Sequence, residues 1–186
     1  RGLGDVYKRQ DKDGKNVLAA TPRKVPRETP DEVMARYKAQ KALDPSRPIL
    51  MTFSCFFIND PTFANWWTRE QADRLYPELV KAADVPGFDV YPIYGWNRQD
   101  KIAWVSQGVR ELRAFAGREK PTYVWVECLK GAKFKDSKNE VTGREIRNEV
   151  WQAVIQGATA VGYFTHYFGK GPEFKEFGPG DENQAA

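Results

Sequence analysis

Four times along this chain a helix leads into a short apolar strand, and that alternation constrains the fold more than any other feature. Thr29-Pro30-Asp31-Glu32 has the form of a capping box with Pro at the first helical position. It predicts a helix over 29–43, with Val33, Met34 and Tyr37 on the apolar side, stopped by Asp44-Pro45. An apolar run follows, predicting a strand over 49–54. Thr68-Arg69-Glu70-Gln71 opens a second helix over 68–83, and Gly87 precedes a strand over 88–93. A third helix over 99–116 places Ile102, Val105, Val109 and Leu112 at helical spacing, closes at Gly117 and leads to a strand over 122–127. Thr142-Gly143-Arg144-Glu145 opens the fourth helix, with Ile146, Val150 and Val154 on one side, and a last strand covers 159–165.

Helices alternating with nearly continuous apolar strands imply a parallel sheet covered by helices. The connections separate the candidate folds. Those from helix to strand are short, as in 44–48, 84–86 and 118–121. Those from strand to helix are longer and rich in polar and aromatic side chains, as in 54–67, 94–98 and 128–141. A β/α barrel elaborates the loops at the carboxyl ends of its strands, where its active site sits. A doubly wound open sheet uses the same ends, but no glycine-rich phosphate turn follows any strand here. A complete barrel needs eight strands, so the expected architecture is α/β, about half of a TIM barrel, cut at both ends.

Residues 1–10 show neither periodicity and resemble a translated sequencing-adapter string, so they are set outside the fold. Asp11-Lys12-Asp13-Gly14 echoes a calcium loop, but Lys15 stands where a ligand belongs, and the segment reads as a turn. The expected organisation is a loop over 11–28, half of a barrel domain over 29–168, and a polar, glycine-rich tail over 169–186. With 29 basic against 25 acidic side chains, the net charge is +4. The two signs are interspersed rather than clustered, which disfavours a nucleic-acid partner. No apolar run is long enough for a membrane helix. HExxH, CxxC, GxSxG and P-loop motifs are absent, so no metal or cofactor is expected. Cys55 and Cys128 are too few to define a redox compartment.

Against that frame a few residues are placed for chemistry. Glu127 ends the apolar strand Tyr123-Val124-Trp125-Val126. Burying a carboxylate is costly unless it is paired, so a strand-terminal Glu points to the mouth of a barrel; the alternative is a loop cap or a pair with Lys130. Asp89 and Tyr91 share one side of the expected second strand, and Tyr91 could donate to a neighbouring carboxylate. Trp66, Trp67 and Trp96 lie in strand-to-helix loops, where indoles stack on ligands. His166, the sole histidine, follows the last strand and is a candidate ligand contact.

The motifs also carry a family resemblance. The segments Thr29-Pro30-Asp31-Glu32-Val33, Leu43-Asp44-Pro45-Ser46-Arg47-Pro48, Phe88-Asp89-Val90-Tyr91-Pro92, Lys120-Pro121 leading to Val126-Glu127-Cys128, Glu149-Val150-Trp151-Gln152-Ala153, and Gly157-Ala158 before Gly162-Tyr163-Phe164 follow one another in order. Together they resemble the second half of a glycoside-hydrolase barrel, similar to the β-galactosidase-like and cellulase-like retaining glycosidases. The resemblance implies that Glu127 ends the seventh strand as the nucleophile and that the acid/base residue lies upstream, in a missing amino-terminal half of the barrel. It implies a carbohydrate substrate. Phe164 stands near the place where many of these enzymes carry a sugar-stacking Trp, which bears on substrate class. The alternative is a non-catalytic, carbohydrate-binding or structural relative.

Overall fold

The computed structural model describes residues 9–10, 16–17, 28–64, 67–128 and 141–165. Its principal element order is α1 (Pro30–Leu43), β1 (Leu50–Ser54), α2 (Arg69–Leu79), β2 (Val85–Asp89), α3 (Trp104–Ala116), β3 (Tyr123–Glu127), α4 (Gly143–Ile155) and β4 (Ala160–Phe164). The four strands form one parallel sheet in the order β1-β2-β3-β4. Each strand lies beside the one before it, so the sheet winds in a single direction, an α/β arrangement consistent with part of a barrel. Arg9–Gln10 pair antiparallel with Asn16–Val17, giving this part of the expected non-native start a two-residue ladder. Residues 1–8, the turn at 11–14 and the tail over 169–186 lie outside the described residues.

Two capping boxes form as the sequence indicates. The Glu32 backbone N–H donates to the Thr29 hydroxyl while the Glu32 carboxylate accepts from the Thr29 N–H, and Gln71 and Thr68 repeat the exchange. Each satisfies amide groups that a helix start leaves orphaned. The third does not close: the Thr142 hydroxyl donates to the Glu145 carboxylate and caps no amide.

The second strand corrects the sequence reading. It runs Val85–Asp89 rather than 88–93, so it contains Pro86 and Gly87 and leaves Tyr91 in the segment beyond its end. Pro86 is tolerated because pairing with β3 begins only at Gly87; at Pro86 the strand has a partner on the β1 side alone. After Asp89 the chain turns back on itself, with the Gly95 and Trp96 amides donating to the Tyr91 carbonyl.

One side of the sheet packs on the helices. Phe53, Phe88, Val124 and Val126 meet Tyr76, Val105, Val109 and Leu112 in the main core. Gly108 lets α3 approach closely, since a Cβ there would collide with the Phe88 ring. On α4 the buried residues are Ile146, Glu149 and Ala153, and the expected Val154 is exposed. The amino ends of the strands are tied by polar contacts: Asp84 accepts from the Tyr37 hydroxyl at 2.8 Å and from the Ile49 amide at 2.8 Å. Lys120 Nζ donates to the Val80 and Ala83 carbonyls at 2.9 and 2.8 Å.

Candidate functional site

Among the described residues, the other side of the sheet carries no helix. Strand alternation puts Thr52, Gly87, Asp89, Tyr123, Trp125, Gly162 and Phe164 on this open face. Contacts agree with the alternation. The Thr52 hydroxyl lies 2.5 Å from the Tyr123 hydroxyl and accepts from the Trp125 indole N–H at 3.2 Å. The Tyr123 ring occupies the space over Gly87, and the Trp125 ring the space over Gly162, where any Cβ would collide with them. Sequence reasoning missed Thr52, Tyr123 and Trp125 as site residues. The signal was available in the alternation of the third strand, whose odd positions are Tyr, Trp and Glu.

Asp89 ends β2 on this face. Burial pushes its carboxyl up to about 6. Four hydroxyl or thiol groups feel its charge, on Cys55, Tyr76, Tyr91 and Tyr123, and no cation among the described residues forms a salt bridge with it. A carboxyl group at the carboxyl end of a strand, half-protonated near pH 6, can both accept and donate a proton.

Tyr91 follows in the turn. Its ring meets Phe164 of β4 at a centroid distance of 4.9 Å, so the pair crosses the end of β3, which lies between β2 and β4. Burial, then the Asp89 and Glu127 charges, push its phenol up, so it remains a hydrogen-bond donor.

Glu127 lies beneath this crossing and is 0% exposed. The Ile93 amide donates to Oε1 and the Tyr94 amide to Oε2, each at 2.7 Å. The expected Tyr91 donor is thus replaced by backbone: the chain turns at 91–97 and brings two amides to the carboxylate first. On the other side stands Glu149 of α4, also 0% exposed, whose Oε2 accepts from the Glu127 backbone N–H at 3.3 Å. Burial is the main influence raising the Glu127 carboxyl, opposed by the Ile93 amide, Glu149 and the Tyr94 amide. Lys130, its alternative partner, is outside the described residues. Glu149 was not anticipated as part of this cluster, although an acid within the apolar stripe Ile146, Val150, Ala153 was a legible anomaly.

The remaining candidates separate. Trp96 packs edge-on against Phe63 at 5.2 Å and against Trp104 at 6.1 Å, which makes it a core side chain behind the turn rather than a stacking platform. Trp67 is half-buried before α2. Trp66 and His166 lie outside the described residues. Cys55 and Cys128 are both buried free thiols. Among the described residues no cluster of His, Cys, Asp and Glu is arranged to hold a metal ion, and no helix is long and apolar enough to cross a membrane. The structure thus brings Asp89, Tyr91, Phe164 and Glu127 to one end of the sheet, with Glu127 roofed over and Asp89 facing the open side.

No protein-family model and no curated protein matches the chain. Among solved structures, it is similar to the PgaB (BpsB) glycoside hydrolase domain from Bordetella bronchiseptica, with a TM-score of 0.46 and 14% sequence identity. The match covers 75% of this chain and 43% of that one, so the chain spans less than half the length of that structure.

Proposed function

We propose that the chain is about half of a β/α-barrel domain that hydrolyses glycosidic bonds, with Asp89 as the carboxyl group that exchanges protons with substrate. The observation that carries this reading is the position and acidity of Asp89: it lies at the carboxyl end of a parallel strand, on the face that no described helix covers, and burial holds its carboxyl at about 6. Glycoside hydrolysis requires one carboxyl group able to protonate the leaving oxygen, and enzymes tune such groups up toward neutrality by burial. Tyr91 beside it offers a phenol donor, and the Tyr91–Phe164 ring pair offers an apolar surface of the kind that accepts a sugar face. The second carboxylate of a retaining pair, and the rest of the barrel, would come from chain beyond the four described repeats.

A reading with Glu127 as nucleophile needs the 93–94 segment to lift off its carboxylate, because both oxygens already accept backbone amides. The geometry favours Glu127 as an anchor for the turn that carries Tyr91. The deciding experiment measures hydrolysis of a panel of glycosides by the polypeptide containing this chain. Asp89→Asn should lower kcat by about 10²–10⁴, the span of a general acid/base contribution, with little change in glycan affinity. Near-normal turnover in that variant removes Asp89 from the chemistry. Glycan binding without hydrolysis in the unmodified protein would favour the binding-only alternative.

A further inference from the structure

Glu149 has no part in the proposed proton transfer, yet it is an acid placed at the centre of the buried stripe of α4. Among the described residues neither Glu149 nor Glu127 has a salt-bridge partner, and no donor faces Glu149 Oε1. The Glu149 carboxyl lies against the Glu127 backbone, both side chains are shielded from water, and the Glu127 charge acts on Glu149, so the two cannot both be charged at ordinary cost. Donor placement decides which one ionises. Glu127 receives two backbone amides at 2.7 Å, as an anion requires, whereas Glu149 receives one at 3.3 Å. As a carboxylic acid Glu149 has a proton of its own to give, and Glu127 is the acceptor beside it.

The surroundings act in the same sense. Burial, then the Glu127 charge, pushes the Glu149 carboxyl well above its ordinary range, and Glu145 one turn earlier on α4 adds further negative charge. Asp89 at the end of β2, Tyr91 beyond it and Cys128 after β3 are the other titratable groups nearby, and none is a cation. Ile93, Tyr94, Val141 and Ile146, with Ile102, Val150 and Phe164 at the margin, form the apolar shell.

We propose that Glu127 and Glu149 share one proton and act as a pH-operated latch. With the proton in place, the pair clamps the 93–94 segment, and with it Tyr91, against the end of β3 and the side of α4. Loss of the proton sets two negative charges against each other in a dry site and frees the segment. The inference stands on the buried pair alone, so loss or survival of hydrolysis in Asp89→Asn leaves it unaffected.

Linkage tests it in the full chain. An acid held protonated by the fold lowers stability as pH rises, because the unfolded chain ionises while the folded one does not. Between pH 6 and 8, beyond the Asp89 window, the folded-to-unfolded ratio of the unmodified chain should fall about tenfold per pH unit relative to Glu149→Gln. The Gln amide keeps a donor toward Glu127 and has no proton to lose. Glu145→Gln should retain the dependence. Exchange at the Ile93 and Tyr94 amides should accelerate with pH more steeply than at Val124, and this excess should vanish in Glu149→Gln. If that variant does not fold, the infrared spectrum of the unmodified chain decides: a carboxylic-acid carbonyl band at pH 8, retained in Asp89→Asn, supports the shared proton. Absence of that band, or stability that rises with pH relative to the Gln variant, overturns it.

Discussion

Replacing Asp89 by Asn isolates what its environment costs the fold. The carboxyl moves from an ordinary 3.8 to about 6, and burial is the leading cause. At about 1.4 kcal/mol per unit, two units correspond to about 3 kcal/mol, reduced toward about 2 kcal/mol by partial solvent contact. The sign follows from linkage. Below the unfolded value both states are protonated and stability is intact. As pH rises toward 6 the unfolded chain ionises first, and stability falls; above that value the loss is complete and constant. Asn has no such ionisation to suffer. Asp89→Asn should therefore match the unmodified chain near pH 3.5 and exceed its stability by about 2–3 kcal/mol at pH 7.5, measured from urea midpoints at constant m-value. Stabilisation on removing a strand-end acid is what a site held in readiness for proton transfer should show. Equal loss of stability at both pH values would mean that Asp89 is a satisfied structural group, and the acidity argued for it would be wrong.

Two further outcomes check the fold that holds the site. Phe88 is 0% exposed and packs edge-on to Phe57 at 5.5 Å, so Phe88→Ala should destabilise the chain by about 3–5 kcal/mol in urea unfolding. Thr68→Ala opens the capping box of α2 and should cost about 1 kcal/mol, whereas Thr142→Ala, which removes no cap, should cost measurably less in the same assay.

Most of the architecture was legible because each element carries its own local instruction. Capping boxes at Thr29 and Thr68 mark helix starts, and apolar runs at Leu50–Ser54 and Tyr123–Glu127 mark strands within one residue. Where the reading slipped, tertiary context overrode local preference. Pro86 and Gly87 look like strand breakers, but Pro86 sits where one neighbour is missing, and Gly87 is there because a tyrosine ring from the next strand needs its space. Glu127 stands out by its position at a strand end, but its surroundings do not, because the turn that encloses it depends on two amide hydrogen bonds across 33 and 34 residues of sequence. Trp96 was drawn toward the site by its loop position, yet its ring belongs to Phe63 and Trp104, a contact no spacing rule reports.

The rings over Gly87 and Gly162 also limit how this face can change. Tyr123 and Gly87 form one shape between them, as do Trp125 and Gly162, and Thr52 bonds both aromatic side chains at once. A side chain gained at 87 demands a smaller one at 123, and the hydroxyl then lost leaves Thr52 with the indole alone. Substitutions here are epistatic: single-site libraries would sample mostly broken combinations, and a reshaped face is reachable only by exchanging positions 87 and 123, or 125 and 162, as pairs.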